Sequence, residues 1–237
     1  MTQVRIALLN AAYDGEETRR NFRRELDASL AEFDITDGEL PETFAYDGVV
    51  VTGSRASVYW DEDWIEPAKE WGREAIDRGV PCLGICWGHQ FLADILGGTV
   101  GDMGEYEVGY SEIEHTGDAR LFEGIDRRFT AYTSHSDAVL ELPPGATPIA
   151  ENAYSNHGYR LEHVFGVQFH PEFDQATMHK LLTNKELEEE TRERLLAELT
   201  DKNHAKTRPA SLVFENFTEY VRELRAARGS ETQDVSA

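Results

Sequence analysis

Residues 84 to 90 are Gly84-Ile85-Cys86-Trp87-Gly88-His89-Gln90. The apolar run before them, residues 80–85, is typical of a buried strand, and residues 91–96 are typical of a helix. A strand that turns abruptly into a helix, with a glycine two residues to either side of a cysteine, has the layout of a nucleophile elbow. The glycines are needed because the backbones crowd together and leave no room for a Cβ. We therefore predict that Cys86 is a catalytic nucleophile, whose thiolate is favoured by the positive end of the following helix.

Such a cysteine needs a base, usually a histidine held by a third group. Of the eight histidines, His170 alone directly follows an apolar strand, and it stands two residues before Glu172. In an extended backbone, positions i and i+2 point to the same side, and Pro171 stiffens the step between them. Cys86, His170 and Glu172 are thus predicted to act as nucleophile, general base and orienting carboxylate, whereas His89 is expected to pack on the elbow helix.

The first half of the chain alternates predicted strands and helices, which favours an α/β fold with a mainly parallel sheet and helices on both faces. Helices are predicted over residues 17–33 and 61–78, with a short strand at 33–36. Residues 99–168 contain short alternating runs and turns, which predict a mixed, partly antiparallel extension of the sheet. Function collects beyond the carboxyl ends of parallel strands, where both Gly53-Ser54 and Cys86 are expected.

The length of 237 residues favours one domain, which we place at residues 1–228. Residues 184–208 are strongly charged with a thin apolar stripe, and predict a helical excursion that is either a solvated face or a partner contact. A last helix is predicted over 210–227, and residues 229–237 are expected to be a disordered tail.

The chain carries 45 acidic and 23 basic residues, a formal charge of −22, and only five of the basic residues are lysines. Nucleic acid and anionic membranes are therefore unlikely partners, since both require a basic surface. The charge indicates adaptation to high salt, where screening suppresses self-repulsion, or else an acidic mesophilic protein.

The two cysteines, Cys82 and Cys86, do not have a spacing typical of disulfide, zinc or thioredoxin motifs. We expect Cys82 to pack in the core, and we expect neither a metal nor a cofactor. No apolar run is long enough for a membrane span and no signal peptide is evident, which predicts a cytoplasmic protein.

Residues 84–90 together with Gly166-Val167-Gln168-Phe169-His170-Pro171-Glu172 resemble the class I (triad) glutamine amidotransferase family, over roughly residues 4–180. The resemblance implies a flavodoxin-like fold and a Cys-His-Glu triad. It also implies attack on the side-chain amide of glutamine, release of ammonia and hydrolysis of a γ-glutamyl thioester. The same resemblance places the oxyanion donors at the backbone of Gly53 or Ser54 and of Trp87.

For the substrate, the resemblance implies contacts from Gln90 and from the stretch that contains Ser134, His135 and Ser136, with His135 either substrate-side or structural. The turn Thr52-Gly53-Ser54 is similar to the free-standing, GMP-synthase-like branch of the family. Because no acceptor domain is recognisable after residue 180, an ammonia-using synthetase such as a GMP synthase is expected to be a separate chain.

Two further hypotheses remain open. The same triad could cleave a γ-glutamyl amide or peptide without any synthetase, as γ-glutamyl peptidases do. A similar fold also occurs in noncatalytic DJ-1-like sensors or chaperones, which the pairing of Cys86 with His170 and Glu172 disfavours.

Overall fold

A nine-stranded sheet forms the centre of the computed structural model, which describes residues 3–13, 15–116 and 120–234. Five strands are parallel: β1 (Arg5–Asn10), β2 (Ser29–Asp34), β3 (Gly48–Val51), β4 (Cys82–Ile85) and β9 (Val164–Val167). The antiparallel part consists of β5 (Thr99–His115), β6 (Arg128–Glu141), β7 (Thr147–Glu151) and β8 (Asn156–Leu161). The spatial order is β2-β1-β3-β4-β9-β8-β7-β5-β6.

Helices cover both faces of the parallel strands. They are α1 (Gly15–Glu25), α2 (Ile65–Asp77), α3 (Trp87–Ile95), α4 (Gln175–Asn184), α5 (Glu189–Glu198), α6 (Asp201–Ala205) and α7 (Leu212–Asp234). On one face Phe22 of α1 meets Phe214 of α7, with ring centroids 5.6 Å apart. On the other face Trp71 of α2 and Phe91 of α3 belong to a second apolar cluster.

The central strands have few polar side chains because both of their faces are buried. Every residue of β3, β4 and β9 is buried, as expected for parallel strands between two helical layers. The predicted α/β class, with its parallel sheet, helices on both faces and antiparallel extension, is confirmed.

The boundary between α1 and β2 differs from the prediction of a helix over 17–33. The helix ends at Glu25, and Leu30 and Phe33 lie in β2. Their spacing from Phe22 fits a helix, yet Leu30 pairs in parallel register with Ile6 of β1. A pairing with a distant strand therefore overrides the local helical pattern.

Two other helices start later than predicted: α2 at Ile65, and α7 at Leu212 after a short 3-10 turn. The backbone of residues 229–234 continues α7, where the sequence predicted a disordered tail, and residues 235–237 lie outside the described part. No helix in the described ranges is both long and apolar enough to cross a membrane.

The charged segment 184–208 forms α5 and α6, two short helices. Leu195 of α5 is buried, and a Cβ placed on Gly109 of β5 would lie 2.9 Å from its Cδ2 atom. The thin apolar stripe of the segment therefore packs against the antiparallel extension, while its charged side chains remain outside.

Candidate active site

Three neighbouring strands deliver the site. Strand β4 lies between β3 and β9. The carboxyl end of β3 leads to Gly53, that of β4 to Cys86 and that of β9 to His170. Parallel strands end at the same edge of a sheet, so residues far apart in sequence meet there.

Cys86 occupies a strained turn. Its φ of 53° lies in the left-handed region, which residues other than glycine rarely adopt. A Cβ on Gly84 would lie 2.2 Å from the carbonyl oxygen of Gly88, and one on Gly88 would lie 2.3 Å from that of Val51. The two glycines thus allow the close packing of strand, turn and helix that holds the thiol at the amino end of α3.

His170 lies between the thiol and a carboxylate. Its Nδ1 atom is 2.8 Å from Oε1 of Glu172, and its ring stacks on Phe173 with centroids 4.0 Å apart. The backbone N–H of His170 also donates to the carbonyl oxygen of Tyr132 at 2.7 Å, which fixes the end of the strand.

The electrostatic surroundings keep a proton on His170. Burial alone would lower the pKa of this imidazole, but the charges of Cys86 and Glu172 and the hydrogen bonds to them raise its pKa to about 10. Close to neutral pH the His170 imidazole therefore carries a proton. A protonated histidine beside a cysteine favours the nucleophilic thiolate and has a proton to give to a leaving group.

A cavity of about 330 Å³ opens beside His170 and Glu172, and its wall also includes Gly53, Ser54 and Ser134. Cys86 itself is not among the lining residues. The remaining lining residues come from the loop after β3, from α1 and its preceding loop, from the residue after Glu172 and from α4 and its end: Ala12, Tyr13, Glu17, Thr18, Arg55, Phe173, Thr177, Lys180, Leu181, Asn184 and Lys185.

The candidate oxyanion donors Gly53 and Trp87 both lie next to Cys86. A Cβ on Gly53 would lie 3.0 Å from Cε1 of His170 and 3.7 Å from Cβ of Cys86, so the Gly53 backbone runs directly against both. Trp87 is the first residue of α3, where a backbone N–H has no acceptor within the helix. Its indole is buried against Phe91 and Trp64, at centroid distances of 5.0 and 5.2 Å.

The four residues predicted to contact the substrate do not all lie at the cavity. Ser134 lines the cavity and its hydroxyl contacts that of Tyr106. His135 points to the other side of β6 and is buried, and Ser136 is exposed but is not among the lining residues. Gln90 is buried behind Cys86, where its amide nitrogen donates to the carbonyl oxygen of Asp137 at 2.8 Å. The structure thus brings Ser134 alone of the four to the cavity wall.

One residue without a predicted role contacts Cys86. Gln168 is fully buried and its Nε2 donates to Sγ of Cys86 at 3.6 Å. The sequence does contain a signal for it: Gln168 stands two residues before His170, and alternate positions of an extended chain share a side.

A second group of titratable side chains lies deeper in the antiparallel part. Glu107, His135 and His157 approach one another so that their ligand-type atoms lie within 4.8 Å, and all three are buried. They come from β5, β6 and β8, so no spacing motif could reveal them, and the sequence predicted no metal site. Burial alone would raise the pKa of Glu107, but hydrogen bonds from His135 and His157 hold it well below its usual range.

The remaining candidates are structural. Burial raises the pKa of the Cys82 thiol to about 12, and the thiol donates to the carbonyl oxygen of Val80 at 3.3 Å. Burial also lowers the pKa of His89 to about 3, and its ring packs 5.0 Å from that of Tyr159. At neutral pH Cys82 is therefore a neutral thiol and His89 a neutral imidazole, as expected for buried groups that pack in the core.

Comparisons with known proteins agree on one family. The model of the glutamine amidotransferase class-I family matches residues 16–189. A glutamine-hydrolysing GMP synthase of Helicobacter pylori is 39% identical over 130 residues, which are 54% of this chain and 25% of that protein. A GMP synthase of Azoarcus is 34% identical over 170 residues, 65% of this chain and 30% of that protein. The chain thus spans 25% to 30% of the length of these curated relatives.

A solved structure extends the comparison to most of the fold. A glutamine amidotransferase from Thermotoga maritima is 25% identical and superposes with a TM-score of 0.78, covering 92% of this chain and 100% of the other. A glutamine amidotransferase from Methylobacillus flagellatus, 20% identical with a TM-score of 0.75, has the same fold over 92% of this chain and 95% of its own. The chain belongs to the class I glutamine amidotransferase family.

Proposed function

We propose that this protein hydrolyses the side-chain amide of glutamine with Cys86 as nucleophile, His170 as general acid and base, and Glu172 as the group that orients His170. The observation that carries the proposal is the buried pairing of His170 with Glu172 at 2.8 Å, directly beside a cysteine held at φ 53°. A structural cysteine has no need of a strained backbone or a charged partner.

The chemistry follows from the protonation state. The Cys86 thiolate attacks the amide carbonyl carbon and forms a tetrahedral intermediate. His170 then gives its proton to the leaving nitrogen, so the C–N bond breaks and ammonia departs from a γ-glutamyl thioester. His170, now neutral, takes a proton from water as the water attacks the thioester, which releases glutamate and restores the thiolate–imidazolium pair.

The oxyanion of both tetrahedral intermediates needs preset donors. We assign this role to the backbone N–H groups of Gly53 or Ser54 and of Trp87. Their support is positional: Gly53 lies against the Cys86 and His170 side chains, and Trp87 begins α3 with its indole anchored in the core.

The destination of the ammonia is a separate question. The GMP synthases among the relatives support delivery of the ammonia to a synthetase, which is our first proposal. A γ-glutamyl peptidase is the second, because the cavity of about 330 Å³ extends from the triad to Lys180 and Lys185. This volume falls within the range of pockets that hold ligands larger than one amino acid.

The test measures ammonia release from glutamine and glutamate release from γ-glutamyl dipeptides, at high salt, for the wild type, Cys86→Ala and Cys82→Ser. We expect Cys86→Ala to abolish both activities and Cys82→Ser, the matched thiol control, to retain them. Activity on glutamine that increases when a synthetase is added supports ammonia delivery, whereas efficient dipeptide cleavage by the chain alone supports the peptidase. Full activity of Cys86→Ala would refute the proposed mechanism.

A further inference from the structure

A continuous chain of buried polar groups runs from the nucleophile into the antiparallel part of the sheet. Nε2 of Gln168 donates to Sγ of Cys86 at 3.6 Å, and Oε1 of Gln168 accepts from Nε2 of Gln90 at 3.0 Å. The same nitrogen of Gln90 donates to the carbonyl oxygen of Asp137 at 2.8 Å. That carbonyl oxygen lies 3.0 Å from Nδ1 of His135.

This chain of hydrogen-bonded groups ends at the carboxylate of Glu107, which is 3% exposed. Nε2 of His135 lies 2.9 Å from Oε2 of Glu107, and Nε2 of His157 lies 3.1 Å from the same oxygen. The other oxygen of Glu107 accepts from the hydroxyl of Ser111 at 2.6 Å and from the amide of Asn152 at 2.7 Å. Glu107 is thus held by four donors from four different positions in the fold.

The order of donors and acceptors is fixed along this chain. A carbonyl and a carboxylate oxygen can only accept, and the two ring nitrogens of His135 face one of each, so the contact with Glu107 fixes the orientation of the ring. The Asp137 carbonyl must receive amide hydrogens, which turns the NH₂ group of Gln90 toward it. Gln90 in turn donates to the oxygen of the Gln168 amide, which leaves the NH₂ group of Gln168 facing the sulfur. A hydrogen bond from that group favours the thiolate over the thiol.

We propose that Glu107 is a positioning residue for the reaction: by holding His135 it fixes the Gln90–Gln168 amide pair and thereby the hydrogen bond that Gln168 donates to the Cys86 thiolate. The inference rests on the proposed role of Cys86 as nucleophile. It also gives a role to a buried carboxylate and a buried histidine on strands that do not carry Cys86 or His170.

A bound cation is the competing explanation, since two histidines and a glutamate are suitable zinc ligands. Both Nε2 atoms lie at hydrogen-bond distance from the same carboxylate oxygen, which is the contact that two N–H donors make with one acceptor. Nδ1 of His157 is buried and has no hydrogen-bond partner among the described residues, which fits the lone pair of a neutral ring that donates through Nε2. Burial lowers the pKa of His157, in agreement with that neutral state.

The experiment is a double-mutant cycle read by the alkylation of Cys86. All variants carry Cys82→Ser, so that one thiol remains, and the rate of reaction with iodoacetamide at neutral pH reports the thiolate without requiring turnover. Gln168→Leu is expected to slow alkylation about tenfold, which corresponds to about 1.4 kcal/mol of thiolate stabilisation. Glu107→Gln is expected to slow it about threefold alone, and by less than about 1.5-fold when Gln168→Leu is already present.

His157→Gln is the matched control, because His157 donates to the same oxygen of Glu107 but lies outside the path to Cys86. It is expected to lower the melting temperature about as much as Glu107→Gln while leaving the alkylation rate unchanged. The proposal would be overturned if Glu107→Gln slowed alkylation equally in the presence and absence of Gln168→Leu. It would also be overturned if Glu107→Gln and His157→Gln slowed alkylation equally. One equivalent of zinc, found by elemental analysis, that is lost in Glu107→Gln would overturn it as well. Wild-type alkylation as slow as that of a buried, inert thiol would instead refute the proposed function itself.

Discussion

The substitution Glu172→Gln probes the pairing on which the proposed mechanism depends. Glu172 is buried, and the replacement keeps the shape of the side chain while removing its negative charge. It weakens the hydrogen bond at the Nδ1 atom of His170, which is 2.8 Å long. It also places an amide NH₂ at the position of Oε2, which has no hydrogen-bond partner among the described residues.

The expected magnitude follows from these contacts. A hydrogen bond to a charged group contributes about 1.5–3 kcal/mol, so its loss in the transition state lowers kcat by about 10- to 150-fold. The pKa of His170 is raised to about 10 by its two anionic partners together, although burial opposes them. Removing one partner should lower that pKa by about 1–2 units, the usual effect of one adjacent charge.

The proposed mechanism predicts the direction in which the pH profile of kcat moves. The active thiolate–imidazolium pair exists below the pKa of His170 and is lost as the pH rises through it. Glu172→Gln should therefore move the alkaline limb of the kcat profile to lower pH. The assay measures ammonia release from glutamine between pH 6 and pH 10.5.

Asp174→Asn is the matched control for this measurement. It removes a negative charge two residues away, and asparagine can still accept from the backbone N–H of Thr177, as Asp174 does at 2.8 Å. An alkaline limb that stays in place in Glu172→Gln, or that moves equally in Asp174→Asn, would refute the assigned role of Glu172.

Three further predictions concern the backbone, pH and salt. Gly53→Ala places a Cβ 3.0 Å from Cε1 of His170 and should lower kcat about tenfold or more with little loss of stability, as kinetics and thermal unfolding will show. Because the pKa of His170 is raised from 6.5 to about 10, the protonated imidazole contributes its full stabilisation of the fold below pH 6.5 and loses it as the pH rises toward 10. The free energy of unfolding in urea should therefore decline less over that range in His170→Gln than in the wild type. The net charge of −22 predicts that the melting temperature rises between about 0.1 and 2 M KCl, and a flat or falling melting temperature would contradict the high-salt interpretation.

Local signals in the sequence were sufficient to predict much of the architecture and to select the triad candidates. The apolar runs of the parallel strands follow from burial on both faces, and the glycines around Cys86 follow from the crowding at a strand–turn–helix junction. Proximity of Cys86 and His170 could be expected because adjacent parallel strands end at one edge. The same rule placed Gly53 at this edge, and the structure shows how close the Gly53 backbone comes to both side chains.

The features that escaped prediction depend on pairings between distant segments. Phe33 fits a helical pattern, but it lies in β2 because that segment pairs with β1. Glu107, His135 and His157 meet because three antiparallel strands align in register, and their sequence separations match no metal-binding or catalytic motif. The Gln90 amide likewise faces inward because a carbonyl oxygen of β6 and the Gln168 side chain are available there, which no property of its own helix indicates.

The most direct test of the central claim is labelling with a glutamine-like electrophile, followed by mass spectrometry that distinguishes Cys86 from Cys82. The proposed mechanism predicts one adduct per chain, located on Cys86, whose formation glutamine slows by competition and His170→Gln strongly retards. No adduct on Cys86 under any condition, or labelling that glutamine leaves unchanged, would contradict the claim that this cysteine attacks a γ-glutamyl amide.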